Sequence, residues 1–157
     1  MILESSQSFT LKHPRGFDEA LRFVRTPELA LSRVRFLTHL TSQDGQLGGQ
    51  LIVKTPGLGD IHLPFACSLQ DEPDGASLLA VSLPEKNWVA VNGQARVTPD
   101  ALMTFDFQFT AHVTLPDVPG WGGAAFEKMV RAAAQRTLTR VAEALPRDIQ
   151  AALPALE

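Results

Sequence analysis

Leu102-Met-Thr-Phe-Asp-Phe-Gln-Phe-Thr-Ala-His-Val-Thr-Leu115 decides the fold. Phe105, Phe107 and Phe109 fall on one side of an extended chain, with Thr104, Asp106, Gln108 and Thr110 on the other. A period of two is the mark of a half-buried strand, apolar toward a core and polar toward water. The same period runs backward to Arg33. Val34, Phe36, Thr38 and Leu40 alternate with Arg35, Leu37, His39 and Thr41, and Asp44-Gly45 follows as a hairpin signal because both residue types tolerate positive φ. Leu47, Gly49, Leu51 and Val53 make one strand face; Ile61, Leu63, Phe65, Cys67 and Leu69 make the next after a turn at Pro56–Asp60. Asp71–Gly75 turns again into Ser77–Leu83 and then Trp88–Val97. Within that last run Asn92-Gly93 reads as a bulge in one bent strand, with a hairpin turn as the alternative. Consecutive strands joined by short turns predict an antiparallel meander with one wet face.

Outside the meander the period changes. Ser6–Lys12 alternates as one more strand, showing Phe9 and Leu11 on one face. Phe17, Ala20, Leu21 and Val24 then recur at helical spacing, and Thr26-Pro27 restarts a short helix with Thr26 as N-cap. After a break at Pro116–Gly123, a helix is predicted from about Ala124 to Leu145. On it Phe126, Met129, Val130, Ala133, Thr137, Val141 and Ala144 share the apolar face. Pro146 is expected to interrupt this helix, with one more turn from Asp148 to Leu153.

The predicted class is therefore α+β: one domain over residues 1–157, with a curved antiparallel sheet of about seven strands in the order β-α-α-β6-α wrapped around the final helix. The order and pattern resemble the helix-grip superfamily of START and polyketide-cyclase-like proteins (SRPBCC), across nearly the whole chain. The nearer likeness is to its carbon-monoxide-dehydrogenase-subunit-like branch. It is carried by Val91-Asn-Gly-Gln-Ala-Arg-Val-Thr-Pro-Asp100, then Phe105–Leu115, then Gly120-Trp-Gly-Gly-Ala-Ala-Phe126. The resemblance implies a cavity between sheet and last helix that holds an apolar or amphipathic small molecule of lipid, quinone or polyketide type.

Composition narrows the rest. Fourteen basic and seventeen acidic residues give a net charge of −3, so no global positive field gathers nucleic acid. A single cysteine, Cys67, excludes an intramolecular disulfide and a Cys-based zinc cluster. No signal peptide or transmembrane segment is read, which makes a soluble cytoplasmic protein the expectation. The histidines His13, His39, His62 and His112 lack metal-ligand spacing, and His39, His62 and His112, on separate strands opposite the predicted core face, read as exposed sheet side chains. Cys67, in phase with Phe65 and Leu69, reads as a buried inert thiol. Pro56-Gly57-Leu58-Gly59 lacks the Lys-Ser/Thr and helix of a phosphate loop, and Trp121 reads as a staple at the start of the last helix.

No carboxylate or histidine falls on the predicted inward faces, so general acid–base catalysis has no carrier and no catalytic residue, cofactor or metal is assigned. The function expected is non-catalytic binding of a hydrophobic or amphipathic small molecule. Phe65, Phe105, Phe107, Phe109, Met129, Ala133 and Thr137 are its predicted walls. Arg140, inside the apolar arc between Met129 and Ala133, is the predicted head-group partner, since its forked donors suit a carboxylate or phosphate. The alternative is a protein-interaction module with a filled core, working through its convex sheet face or as a homodimer. A third reading is an enzyme of the cyclase or hydrolase kind.

Overall fold

A computed structural model describes residues 1–55, 59–114 and 123–155. Its elements run β1 (Ile2–Lys12), α1 (Phe17–Val24), α2 (Pro27–Ala30), β2 (Leu37–Gln43), β3 (Gln46–Thr55), β4 (Gly59–Glu72), β5 (Gly75–Val81), β6 (Trp88–Val97), β7 (Leu102–His112) and α3 (Gly123–Ala151). The seven strands form one antiparallel sheet in the order β1-β7-β6-β5-β4-β3-β2. The β-α-α-β6-α order is the one expected. The staple read at Trp121 and the loop at Pro56–Leu58 lie outside the described residues.

Alternation places the core. In β7 every second residue from Met103 to Ala111 is buried, and in β4 Leu63, Phe65 and Cys67 are. β1 pairs only with β7, from Ile2 opposite His112 to Lys12 opposite Leu102, and its Phe9 ring stacks on Phe105 at 5.1 Å. Helix α3 packs against both β1 and β3, first and sixth in the sheet. It donates from Gln135 Nε2 to the Glu4 carbonyl (2.9 Å) and from Thr137 Oγ1 to the Lys54 carbonyl (3.3 Å). One helix can reach both strands only because the sheet curls strongly around it.

Several local expectations change. Strand β2 starts at Leu37 rather than Arg33, and its pairing with β3 slips between Thr38 and Thr41, where His39 takes φ 53°. Asp44 (φ 53°) and Gly45 (φ 74°) form the expected tight hairpin. Asn92-Gly93 is no hairpin: β6 runs through it in unbroken register with β7. The irregularity is on the other side, where β5 pairs with β6 only from Gly75–Arg96 to Leu78–Gly93. Beyond that point Asn92 Oδ1 accepts from the Ala80 N–H (2.9 Å), and the Cys67 thiol donates to the Val91 carbonyl (3.1 Å). Two side chains thus supply partners where the ladder stops. Thr26 caps nothing; its hydroxyl donates back to the Arg22 carbonyl (2.8 Å).

Helix α3 departs furthest from expectation. It continues through Pro146 to Ala151, because Leu145 and Ile149 bury on either side of the proline and hold the helix across its missing hydrogen bond. Its buried face is Val130, Ala133, Ala134, Leu138, Val141, Ala142, Leu145 and Ile149. That stripe is rotated by roughly a quarter turn from the one drawn on the sequence.

Candidate functional site

Two small apolar voids lie between the sheet and the helices. The first, about 40 Å³, sits under the short helices and is lined by Val24, Pro27, Ala30 and Leu31 from that side, by Phe105 and Phe107 from the sheet, and by Ile149 from α3. The second, about 10 Å³, is lined by residues including Phe36, Phe65, Val91, Phe109 and Leu145. Leu31, Leu78 and Phe107 line both, so these three side chains form the partition. A single water fills roughly 10–15 Å³ on this measure, whereas ligand pockets usually reach hundreds of Å³. The space is nearly filled by its own side chains.

The lining is almost purely apolar. Ser77 and Gln94 are the polar residues of the first void, and the second has none. Among the described residues no titratable side chain lines either. Burial pushes the Cys67 thiol up to about 12, which keeps it protonated and inert as expected.

Of the eight residues singled out from the sequence, Phe65, Phe105, Phe107 and Phe109 line these voids. The four on α3 do not. Met129 is 49% exposed, Arg140 is exposed, Ala133 is buried but lines neither void, and Thr137 is tied to the Lys54 and Ala133 carbonyls. The rotated helix face is the reason: it turns Arg140 and Met129 to solvent and gives the lining to Leu145 and Ile149. Leu31 and Leu78 were also missed. Leu31 follows a helix too short to show a period, and Leu78 sits where β5 leaves β6.

The histidines divide. His39 and His62 are exposed, and His112 stacks on Trp88 at 4.4 Å on the outer face. His13, which the sequence places on no strand, is 3% exposed. Its Nδ1 accepts the Arg15 backbone N–H (3.1 Å), its own backbone N–H donates to the Ala101 carbonyl (2.9 Å), and its ring meets Phe23 edge-on at 5.7 Å. Burial lowers the pKa of the imidazole; the Glu19 carboxylate opposes that and the Arg15 guanidinium reinforces it.

The unfolded chain therefore takes up a proton at His13 at higher pH than the folded chain does, so stability rises with pH across the window just below 6.5 and is lost as pH falls through it. His13→Gln, which does not titrate, is expected to reduce the slope of urea midpoint against pH between about 5 and 7. An unchanged slope would rule His13 out as its source.

No curated protein matches the sequence. Solved structures do share the fold. The Thermus thermophilus protein TTHA0849 superposes with a TM-score of 0.53 at 14% identity, over 97% of this chain and 99% of its own. The Zhui aromatase/cyclase of Streptomyces sp. R1128 gives 0.53 at 11%, over 97% and 91%. The di-domain aromatase/cyclase StfQ of the steffimycin pathway gives 0.53 at 15%, over 96% of this chain and 49% of that one. The architecture is thus the α+β helix-grip fold that these proteins share. At such identities it fixes shape and leaves chemistry to the site. Among the described residues, no helix is long and apolar enough to cross a membrane. With a family model matched over residues 8–143, the chain belongs to the proteins of unknown function DUF3809.

Proposed function

We propose that the protein binds a slender apolar or amphipathic molecule between the sheet and the helices, without transforming it. The observation that carries this is the partition. Leu31, Leu78 and Phe107 line both apolar voids, so a rearrangement of these three side chains would join the two into one trough. The lining supplies no proton-transfer group, so nothing in it supports a cyclase or hydrolase reaction. The walls proposed are Phe65, Phe105, Phe107 and Phe109, together with Leu31, Leu78, Leu145 and Ile149. Arg140 is not retained as head-group partner.

Phe107→Trp enlarges the partition and is expected to weaken binding of dodecanoate and of a short-chain benzoquinone at least tenfold, about 1.4 kcal/mol. Arg140→Ala is expected to change neither. Leu78→Phe, a smaller intrusion, serves if the tryptophan variant does not fold. Affinities unchanged in the partition variants, or no binding by wild type, defeat the reading.

The smallness of the voids favours a second reading, a filled core whose outer surface does the work. Leu79 (47% exposed) and Val81 (40%) stand outward on β5 where it parts from β6. Light scattering that finds a dimer, with Leu79→Lys returning it to monomer, would favour this reading over the first.

A further inference from the structure

A larger cleft lies outside the trough. It measures about 500 Å³ and is bounded by His13, Arg15, Glu19, Arg22, Phe23, Thr26 and Leu29, with Ala152 and Pro154 beyond the end of α3 closing the far side. This is the size of a small-molecule pocket.

We propose that this cleft is a second binding site, for a small monocarboxylate carried on an apolar body. It is independent of the internal trough. His13 is the anchor. Its ring is almost wholly buried yet lines the cleft. Because Nδ1 accepts from the Arg15 N–H, the ring proton is on Nε2, and no acceptor among the described residues takes it. With His13 among the residues that line the cleft, this N–H is open to an acceptor from outside.

Arg15 and Arg22 supply the charge. Both are exposed, and neither forms an ion pair within 4.0 Å among the described residues. Guanidinium forks match the two oxygens of a carboxylate. Glu19 sets the limit: two cations and one anion leave a single positive charge, which suits a monoanion better than a phosphate dianion. Phe23, Leu29, Ala152 and Pro154 give the body of the ligand an apolar wall, and Leu29, 45% exposed, is surface that such a ligand would cover.

Benzoate is the probe, followed by calorimetry and by the ¹⁵N shifts of His13, on the millimolar scale expected for so few atoms. Wild type is expected to bind it at least tenfold more tightly than benzyl alcohol or phenyl phosphate. Arg15→Ala and Arg22→Ala should each weaken binding about tenfold, the worth of one charge-assisted bond. Glu19→Gln should strengthen it, and Phe107→Trp should leave it unchanged. The proposal is overturned if the His13 shifts stay fixed, if both arginine variants bind as wild type does, or if benzyl alcohol binds equally well. Tighter binding of phenyl phosphate overturns the monoanion assignment. Both arginine side chains are exposed, so their loss does not threaten the fold.

Discussion

Gly75→Ala is expected to lower stability by roughly 3 kcal/mol or more, the upper range for overpacking a well-fitted interior. Gly75 opens β5 opposite Arg96, and a Cβ built on it would stand 1.8 Å from the Ala95 carbonyl oxygen and 2.8 Å from its carbon. Backbone is what it meets, so no side chain can swing aside. The clash lies in the only stretch where β5 and β6 are paired, Gly75–Leu78 against Gly93–Arg96. Arg25 also ties α1 to this point, donating from Nε to the Gly75 carbonyl (3.1 Å) and from its guanidinium to the Glu72 carbonyl. Pushing Gly75 away therefore strains the sheet and loosens α1 together. At this chain length a 3 kcal/mol loss lowers the melting temperature by roughly 6–12 °C. Gly48→Ala is the control: its Cβ would meet the Thr41 hydroxyl at 3.4 Å, a flexible neighbour, and a change within about 1 kcal/mol is expected. Equal melting of the two variants would refute the steric account.

Leu138→Ala is the second large effect. Leu138 is fully buried on the face of α3 that meets the sheet, and truncating such a leucine costs roughly 3 kcal/mol through lost burial and the cavity left behind. Met129→Ala, on a side chain 49% exposed, should stay within about 0.5 kcal/mol. Chemical denaturation of the pair reads the phase of the helix directly. A greater loss at Met129 than at Leu138 would restore the face drawn from the sequence and bring Arg140 back toward the trough.

That contrast shows where the sequence was informative. Strands with two chemically distinct faces were legible residue by residue: Phe105, Phe107 and Phe109 against Asp106 and Gln108 leave one register. The amphipathic α1 was equally plain. On α3 the alanines at 132, 133, 134 and 142 and the threonines at 137 and 139 are nearly indifferent to side, so two arcs fit almost equally well and the bulky Met129 tips the choice toward the wrong one. Pro146 looks like an end under a local rule that leaves out the burial of Leu145 and Ile149, which overrides it. His13 escapes a sequence reading because what buries it, Phe23 and the Ala101 turn, arrives from other parts of the chain. The nearly filled trough was beyond the sequence altogether, since void size depends on how whole side chains interlock.

The pairing of β1 with β7 has a consequence for biosynthesis. Ile2 meets His112, so β1 leaves the ribosome about a hundred residues ahead of β7, the strand it pairs with. At about 5–20 residues per second that is a wait of about 5–20 s, with Phe9 and Leu11 uncovered throughout. Contacts so distant along the chain also slow the search for the native arrangement. On the nascent chain β1 is therefore a stretch that calls for a holding chaperone, and one that a second nascent chain could exchange.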